Sequence, residues 1–442
     1  MTRPPRAPGS ALGGLGAAAA LLRDPLAYLR RSHAALGPVF EIRAATRRMI
    51  VLAGREANRF VGREGRTLLE SRGFWGRLSE RRGCPHAILS VDGQPHSRQR
   101  RHYGDVLSRK VVDAQRGACD ALVRTSFGAG MQRIPVQDQL RLLVARLVHL
   151  CLTEGAPPVP EAQARALMEV FRWETNTLLL GKWPRLALHM PAYRRHLAVA
   201  ERFLDELVEA EASAPTLGGW FERIRAGQRE LPDLFTPGDV RFAMLLPFVA
   251  GVDTVGATAS FIVHELYKDP ELRARVCAEV EAAYAAAEGH APALAALHEA
   301  QTLRGLVLEC LRLHPAAFAM YRRARERFVF AEHEIPAGSE IVVFTSATHF
   351  DARYFPDPER LDPSRHGPEQ AQTRQKHVFM PYGGGPHVCL GAGMGEALLL
   401  LLTASIVHHH ALEDPDPSRR FGPVYDPSLT LDPRFELRRL PN

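Results

Sequence analysis

The chain has 442 residues, 46% hydrophobic and 24% charged, with 56 Lys and Arg against 49 Asp and Glu for a net charge of +7. These are globular proportions, and no repeat period, heptad run or long polar tract appears, which excludes the disordered, collagenous and coiled-coil classes. The basic excess is almost all arginine, 52 Arg to 4 Lys, and it is dispersed with no basic stripe interleaved with aromatics, which argues against nucleic-acid binding.

A chain of this size buries about three quarters of its surface, enough for one large core that can house a cofactor. No Ser/Gly or charge-rich linker divides it, so a single domain over 1–442 is expected. Near the N-terminus, Arg3 and Arg6 precede an apolar stretch from Ala11 to Leu22. That stretch is far short of the ~20 residues that span a bilayer. It runs directly into the amphipathic Asp24-Pro25-Leu26-Ala27-Tyr28-Leu29, so no stable membrane anchor is expected. The six cysteines (Cys84, Cys119, Cys151, Cys277, Cys310, Cys389) show no C-x-x-C pair, which is poor material for a zinc site or a disulfide framework and fits a reducing, cytoplasmic compartment.

Short strands are predicted at Val39–Ile42 and Met49–Leu52, inside an N-terminal β-containing part of about 38–70. A helical core of about 94–315 follows, with Ala, Leu, Arg and Glu dominating and apolar residues at helical spacing. Its longest helix opens at Thr236-Pro237-Gly238-Asp239, a capping signature, and ends near Lys268 before Asp269-Pro270. The middle of that helix, Phe248-Val249-Ala250-Gly251-Val252-Asp253-Thr254, is apolar apart from one acid and one alcohol. Periodicity alone favours Asp253 on a solvated face and Thr254 bonding back to a carbonyl. Glu309 and Arg312 share a helix face at i,i+3, where an ordinary surface ion pair is worth under about 1 kcal/mol. A β and meander region of about 316–378 holds strands at Phe328–Phe330 and Glu340–Phe344, flanking the turn signal Ile335-Pro336-Ala337-Gly338.

A loop and helix of about 379–410 close this part, with Phe379-Met380-Pro381-Tyr382-Gly383-Gly384-Gly385-Pro386-His387-Val388-Cys389-Leu390-Gly391 leading into a leucine-rich helix from about Ala392 to His408. A glycine run leading a cysteine to a helix N-terminus favours the thiolate, because free N–H groups and the helix dipole lower the thiol's pKa and can donate to a metal-bound sulfur. The glycines let backbone pass close to a bulky planar group, and His387 can reach a carboxylate on it. A structural cysteine is the alternative for Cys389 by itself. His408, His409 and His410 point about 100° apart in turn, so they cannot converge on one ion and read as a helix C-terminal surface.

Gly383-x-Gly385-x-His387-x-Cys389-x-Gly391 resembles the haem-binding loop of the cytochrome P450 family, and further motifs in the family's order run from about residue 92 to 396. The resemblance implies a mostly α fold with a small β portion, a triangular helical prism around a buried haem b (iron protoporphyrin IX). It implies that Cys389 is the iron ligand, whose electron donation favours O–O cleavage. His96 and Arg100, one turn apart in Asp92-Gly93-Gln94-Pro95-His96-Ser97-Arg98-Gln99-Arg100, look like the propionate-gripping pair, with Arg98 and Arg101 on a solvated face. Arg322 matches the remaining propionate arginine, with Arg323 as the alternative. Glu309 and Arg312 look like the family's Glu-x-x-Arg helix, its third partner best matched by Arg360.

Ala250-Gly251-Val252-Asp253-Thr254 matches the oxygen-activating sequence, in which a helix ladder locally opened at Gly251, an alcohol and an acid deliver protons without flooding the site with water. That acid–alcohol pair argues against the family's peroxide-driven branch. Pro247 is expected to kink the helix. Tyr382 stands where the family usually has Phe, and Gly393 and Gly395 have no evident reason. The implied activity is a bacterial-type monooxygenase of secondary metabolism that hydroxylates or epoxidises a hydrophobic small molecule: a terpenoid, sterol, fatty acid or polyketide. It would use O2 and electrons from a separate ferredoxin or flavodoxin with an NAD(P)H-dependent reductase. A haem-thiolate protein that is not a monooxygenase, a ligand sensor or carrier or a peroxide-driven enzyme, is the alternative. The resemblance places Phe74, Trp75, Phe171, Trp173, Phe248, Phe318, Met320 and Leu429 around the substrate.

Overall fold

The computed structural model describes residues 2–127, 132–154, 158–213, 218–368 and 375–440. The chain divides into two compact units, the first made of Met1–Arg101, Ala317–Arg360 and Gln372–Cys389, the second of His102–Ala316, Leu361–Ala371 and Leu390–Asn442.

The first unit is built on a five-stranded sheet in the order β1-β2-β5-β4-β3, from β1 (Val39–Ala44), β2 (Arg47–Ala53), β3 (Leu69–Glu70), β4 (Met320–Ala324) and β5 (Glu340–Phe344). β2 and β5 run parallel with Val51 opposite Val342, while β4 runs antiparallel to β5 with Arg322 opposite Ile341. Val and Ile fill the paired positions because β-branched side chains suit a pleated, half-buried surface. The predicted strand at Phe328–Phe330 exists, but it pairs with His333–Ile335 in a separate hairpin, and Glu340–Phe344 joins the main sheet instead. Ile50, Leu52, Val343 and Phe60 form one core, with the Phe60 and Phe328 rings stacked at 5.4 Å. Two helices complete the parts used below, α1 (Arg72–Arg82) and α2 (Gly93–Tyr103).

The second unit is helical as the sequence predicts, and among the described residues its one strand before residue 316, Arg133–Pro135, pairs with Glu436–Arg439. The helices used below are α3 (Arg116–Ser126), α4 (Val136–Leu152), α5 (Glu161–Glu174), α6 (Pro191–Ser213), α7 (Pro237–Lys268), α8 (Pro270–Ala286), α9 (Gln301–Leu313) and α10 (Ala392–His409). α7 begins and ends where the capping signals lie. The Asp239 carboxylate accepts from the Thr236 N–H (3.2 Å) and the Asp239 N–H donates to the Thr236 hydroxyl (3.4 Å). Asp269 then caps α8 by accepting from the Glu271 and Leu272 N–H groups, both at 3.0 Å. At 1.5 Å per residue α7 is about 48 Å long, and helix is maintained through Pro247.

Among the described residues, two segments are long and apolar enough to cross a membrane, α7 and Gly385–His409; they are 72% and 61% buried within the fold, as core helices are. The start of α10 passes close to Ser108–Arg109, but a Cβ on Gly393 would lie 3.4 Å from the Arg109 nitrogen, an ordinary contact, so the packing there does not require glycine. The three histidines at the end of α10 fan out to three partners, Glu281 for His408 (3.0 Å), Asp120 of α3 for His409 (2.9 Å) and the Val123 carbonyl for His410 (2.9 Å). His410 is buried, so the expected helix C-terminal surface is in part core, because the 100° spacing turns one ring inward.

Candidate active site

The first unit carries the cysteine loop. Gly383 and Gly385 have φ of +70° and +71°, and a Cβ on Gly385 would lie 2.7 Å from the Val61 carbonyl oxygen, so both left-handed turns require glycine. The chain then makes one 3₁₀ turn, Gly385–His387, and the Cys389 N–H donates to the Tyr382 carbonyl at 3.0 Å. Cys389 is exposed, whereas Cys84, Cys119, Cys151 and Cys310 are buried and Cys277 is half-buried. Among the described residues no disulfide forms.

Around this loop the first unit gathers basic groups. His96 is buried, and its ring lies 4.0 Å from that of His387. Burial first, then the neighbouring His387 and Arg100, push His96 down to about 4, so it is neutral at neutral pH. The His387 Nε2 meets the Asp92 carboxylate at 2.9 Å, and the Ser71 N–H and the Arg325 guanidinium hold the other oxygen of Asp92. The predicted carboxylate partner of His387 is therefore supplied here by the protein's own Asp92, which sequence reasoning quoted but gave no role; an acid just ahead of a helix was its only signal.

Arg100 is lowered by burial, against which the negative Cys389 raises it. Arg322 is lowered to about 10 by burial and donates to the Tyr321 carbonyl (2.7 Å) and the Met320 sulfur (3.7 Å). Arg323 is exposed and donates to the Gly338 carbonyl. Of the two sequence candidates, Arg322 is the one whose charge is felt by His96 and His387. Arg101 is exposed as expected and Arg98 half-buried.

The second unit carries the long helix. Within α7, Ala250 is exposed and Gly251, Thr254 and Val255 are half-buried, while Phe248, Val252, Asp253 and Gly256 are buried, so one face of the helix is opened at mid-length. A Cβ on Gly251 would meet nothing within 4 Å. The Thr254 hydroxyl donates to the Ala250 carbonyl at 2.9 Å and lies 3.3 Å from that of Gly251. It does bond back, as periodicity suggested, but Asp253 is not solvated: its carboxylate meets Arg141 of α4 at 2.6 Å. Nothing distinguishes Arg141 in the sequence, one arginine among 52.

Glu309 and Arg312 are both fully buried, with Nε to Oε1 at 2.7 Å and Nη2 to Oε2 at 2.8 Å. The third partner is corrected. Arg365 (Nε 3.6 Å) and His366 (Nε2 2.9 Å), on the 3₁₀ turn Pro363–His366, complete the Glu309 network, while Arg360 is exposed. The segment 355–366 holds two Pro-x-Arg tripeptides, Pro358-Glu359-Arg360 and Pro363-Ser364-Arg365, and the second packs because Gly305 admits it; a Cβ on Gly305 would lie 2.2 Å from the Pro363 carbonyl oxygen.

The expected pocket residues divide between the units. In the first, Phe74 stacks on Tyr321 at 4.5 Å and on Trp75 edge-on at 5.3 Å, Phe318 is half-buried, and Met320 sets its sulfur 3.0 Å from where a Gly383 Cβ would sit. In the second, Trp173 packs edge-on to Trp183 at 5.1 Å and Phe171 is half-buried. Phe248 is buried, with its ring near those of His149 and Phe203. Leu429 is buried in a hairpin strand.

Desolvated bases served by one acid, beside a single exposed cysteine, suit a planar group with two carboxylates and an iron that takes sulfur; these residues fit an iron porphyrin. The fold and the loop define a haem-thiolate enzyme. A family model described as Cytochrome P450 matches residues 203–433. Cyclooctat-9-en-7-ol 5-monooxygenase of Streptomyces melanosporofaciens is 28% identical over 415 residues, 91% of this chain and 87% of that protein. Thromboxane-A synthase of Rattus norvegicus is 29% identical over 230 residues, 52% of this chain and 42% of that protein. Among solved structures, retinoic acid-bound cyanobacterial CYP120A1 superposes with a TM-score of 0.82 at 19% identity, covering 99% of both chains. The chain belongs to the cytochrome P450 family, and it is a P450 monooxygenase, which as a class works with O2 and a redox partner.

Proposed function

We propose that the chain oxidises an apolar, cyclic or chain-like small molecule, a terpenoid, sterol, fatty acid or polyketide, by hydroxylation or epoxidation. The basic cluster of the buried His96 and the half-buried Arg100, Arg322 and His387 beside the exposed Cys389 carries this reading. Bound haem b would supply oxygen activation and transfer of one oxygen atom to the substrate. Cys389 Sγ would be its ligand, and the cluster would hold its carboxylates by charge-assisted hydrogen bonds. Gly251 keeps side-chain atoms off the opened face of α7. Thr254 offers a hydroxyl there whose own proton is committed to the Ala250 carbonyl, leaving its lone pairs to accept. Asp253 would move protons to that alcohol. The Streptomyces relative is a cyclooctat-9-en-7-ol monooxygenase, which supports a cyclic apolar substrate and a place in secondary metabolism.

Electrons would come from a ferredoxin or flavodoxin with its NAD(P)H-dependent reductase, in the cytoplasm, with both units acting as one catalytic domain. The test is the absorption spectrum of the purified protein. A red-shifted reduced-CO band is expected, and Cys389→Ser should abolish it while the protein stays folded. Retention of that band in Cys389→Ser would remove Cys389 from its role. A screen of terpenes, sterols and fatty acids for the spectral shift that accompanies displacement of distal water then sorts the substrate classes.

A further inference from the structure

α4 and α7 cross where Gly256 lies against Arg141. A Cβ on Gly256 would sit 2.8 Å from the Arg141 Cγ and 3.1 Å from its Cα, so glycine is what lets Arg141 lay its side chain across α7. At its end, Nη2 is 2.6 Å from Asp253 Oδ1, in a pair whose side chains are 17% and 10% exposed. The other Asp253 oxygen, Oδ2, is buried and has no hydrogen-bond partner among the described residues. An ionised oxygen in that state is costly unless a donor reaches it. One oxygen is therefore paired with the Arg141 charge, in an ion contact and not a directed hydrogen bond, and the other is left for a proton donor.

Arg141 is itself braced. Oriented so that its oxygen faces donors, the Gln137 amide accepts from Arg141 Nη1 (3.1 Å) and from the Thr430 hydroxyl (3.1 Å), and donates to the Leu431 carbonyl (3.3 Å). Gln137 is one turn before Arg141 on α4, and Thr430 and Leu431 lie on β7 (Leu429–Leu431), which pairs with β6 (Pro423–Tyr425). The tip of that hairpin is tied to the end of α5. Asp426 accepts from Arg172 (3.1 Å) and from Asn176 (2.6 Å), and the Lys182 ammonium donates to the Tyr425 carbonyl (2.8 Å). Polar contacts thus tie the α5 end to the hairpin tip and the hairpin's β7 to Gln137 and Arg141, the two sets joined by the β6–β7 strand pairing.

We infer that Arg141 is a positioning residue for proton delivery, holding the Asp253 carboxylate by one oxygen and itself held by Gln137 and the β6–β7 hairpin, so that the seating of the hairpin sets how the acid is presented. This rests on the reading of Asp253 as the group that moves protons. A purely structural pair is the competing account, and such a pair can be replaced by apolar groups at little cost.

The test uses the haem-loaded enzyme with a substrate that gives the spectral shift and with surrogate redox proteins. Product and hydrogen peroxide are measured per NAD(P)H, together with the solvent deuterium isotope effect on product formation. Asp253→Asn and Arg141→Met are each expected to lower coupling by about threefold or more and to change the isotope effect, with Arg141→Lys recovering at least about half of the loss. The reduced-CO band should be intact and substrate affinity within about twofold of wild type. A double-mutant cycle on urea unfolding gives a readout independent of activity: Asp253→Asn combined with Arg141→Met should lose less stability than the two singles added.

Unchanged coupling in Arg141→Met when Asp253→Asn uncouples would overturn the inference, as would additive stability losses. Unchanged coupling in Asp253→Asn would overturn the proton-delivery reading itself and the inference with it. Where Arg141→Met does not fold, Gln137→Met decides, because it removes only the brace. Lowered coupling with an intact CO band supports the inference, and wild-type coupling sinks it.

Discussion

Glu309→Gln is the sharpest test of how this fold handles charge. Burial alone would raise the Glu309 carboxyl, but the Arg312 guanidinium, the His366 ring and the Asp362 N–H outweigh it and hold the carboxyl down to about 2, against 4.5 for an ordinary glutamate. At about 1.4 kcal/mol for each tenfold in proton affinity, that is about 3 kcal/mol of stability, and with the group buried there is no solvent screening to discount. A carboxyl depressed on folding contributes fully above 4.5 and loses its contribution as pH falls through about 2. The variant also strands Arg312, fully buried, without its anion, so a loss of about 3–5 kcal/mol is expected. Urea unfolding followed by circular dichroism at matched haem content measures it, since bound ligand adds stability by mass action. The gap between wild type and variant should be widest at pH 6 and narrow below 4.5. A loss under about 1 kcal/mol, or a gap that does not close in acid, would show the pair behaving as an exposed one and refute the reasoning.

Three further outcomes follow from the same geometry. Gly305→Ala should cost about 2 kcal/mol or more by driving the Pro363–His366 turn off α9, whereas Gly251→Ala, with open space around its Cβ, should gain up to about 1 kcal/mol of helix stability while impairing turnover, both read by unfolding. Arg322→Leu should weaken haem retention about tenfold or more in a transfer assay to apomyoglobin, while Arg323→Leu leaves it near wild type; equal effects would reverse the choice between them. Thr254→Ala should raise hydrogen peroxide released per NAD(P)H, and unchanged coupling would remove its hydroxyl from proton delivery.

The linear motifs were legible because each is local. Gly383 to Gly391 spells out its own turns, and Thr236 with Asp239 spells out a helix start. The partners of those motifs were not legible. Arg360 and Arg365 are both arginines in a Pro-x-Arg tripeptide, and which one reaches Glu309 depends on Gly305, more than fifty residues away. Asp253 could be recognised as the acid of an oxygen-activating sequence, yet Arg141 and Gln137 carry no local mark. Phe248 reads like any apolar residue beside the opened face, and only the rings of His149 and Phe203 show that it is enclosed.

The amino-acid sequence by itself determined the fold class, the cysteine of the loop, the limits of the long helix and the family, because capping, glycine conformation and residue type act over a few positions. Tertiary structure alone left Arg323 exposed beside the half-buried Arg322, brought Arg365 rather than Arg360 to Glu309, set Asp92 against His387 and paired Asp253 with Arg141. Each of those depends on which side chains the packing of distant segments takes out of water.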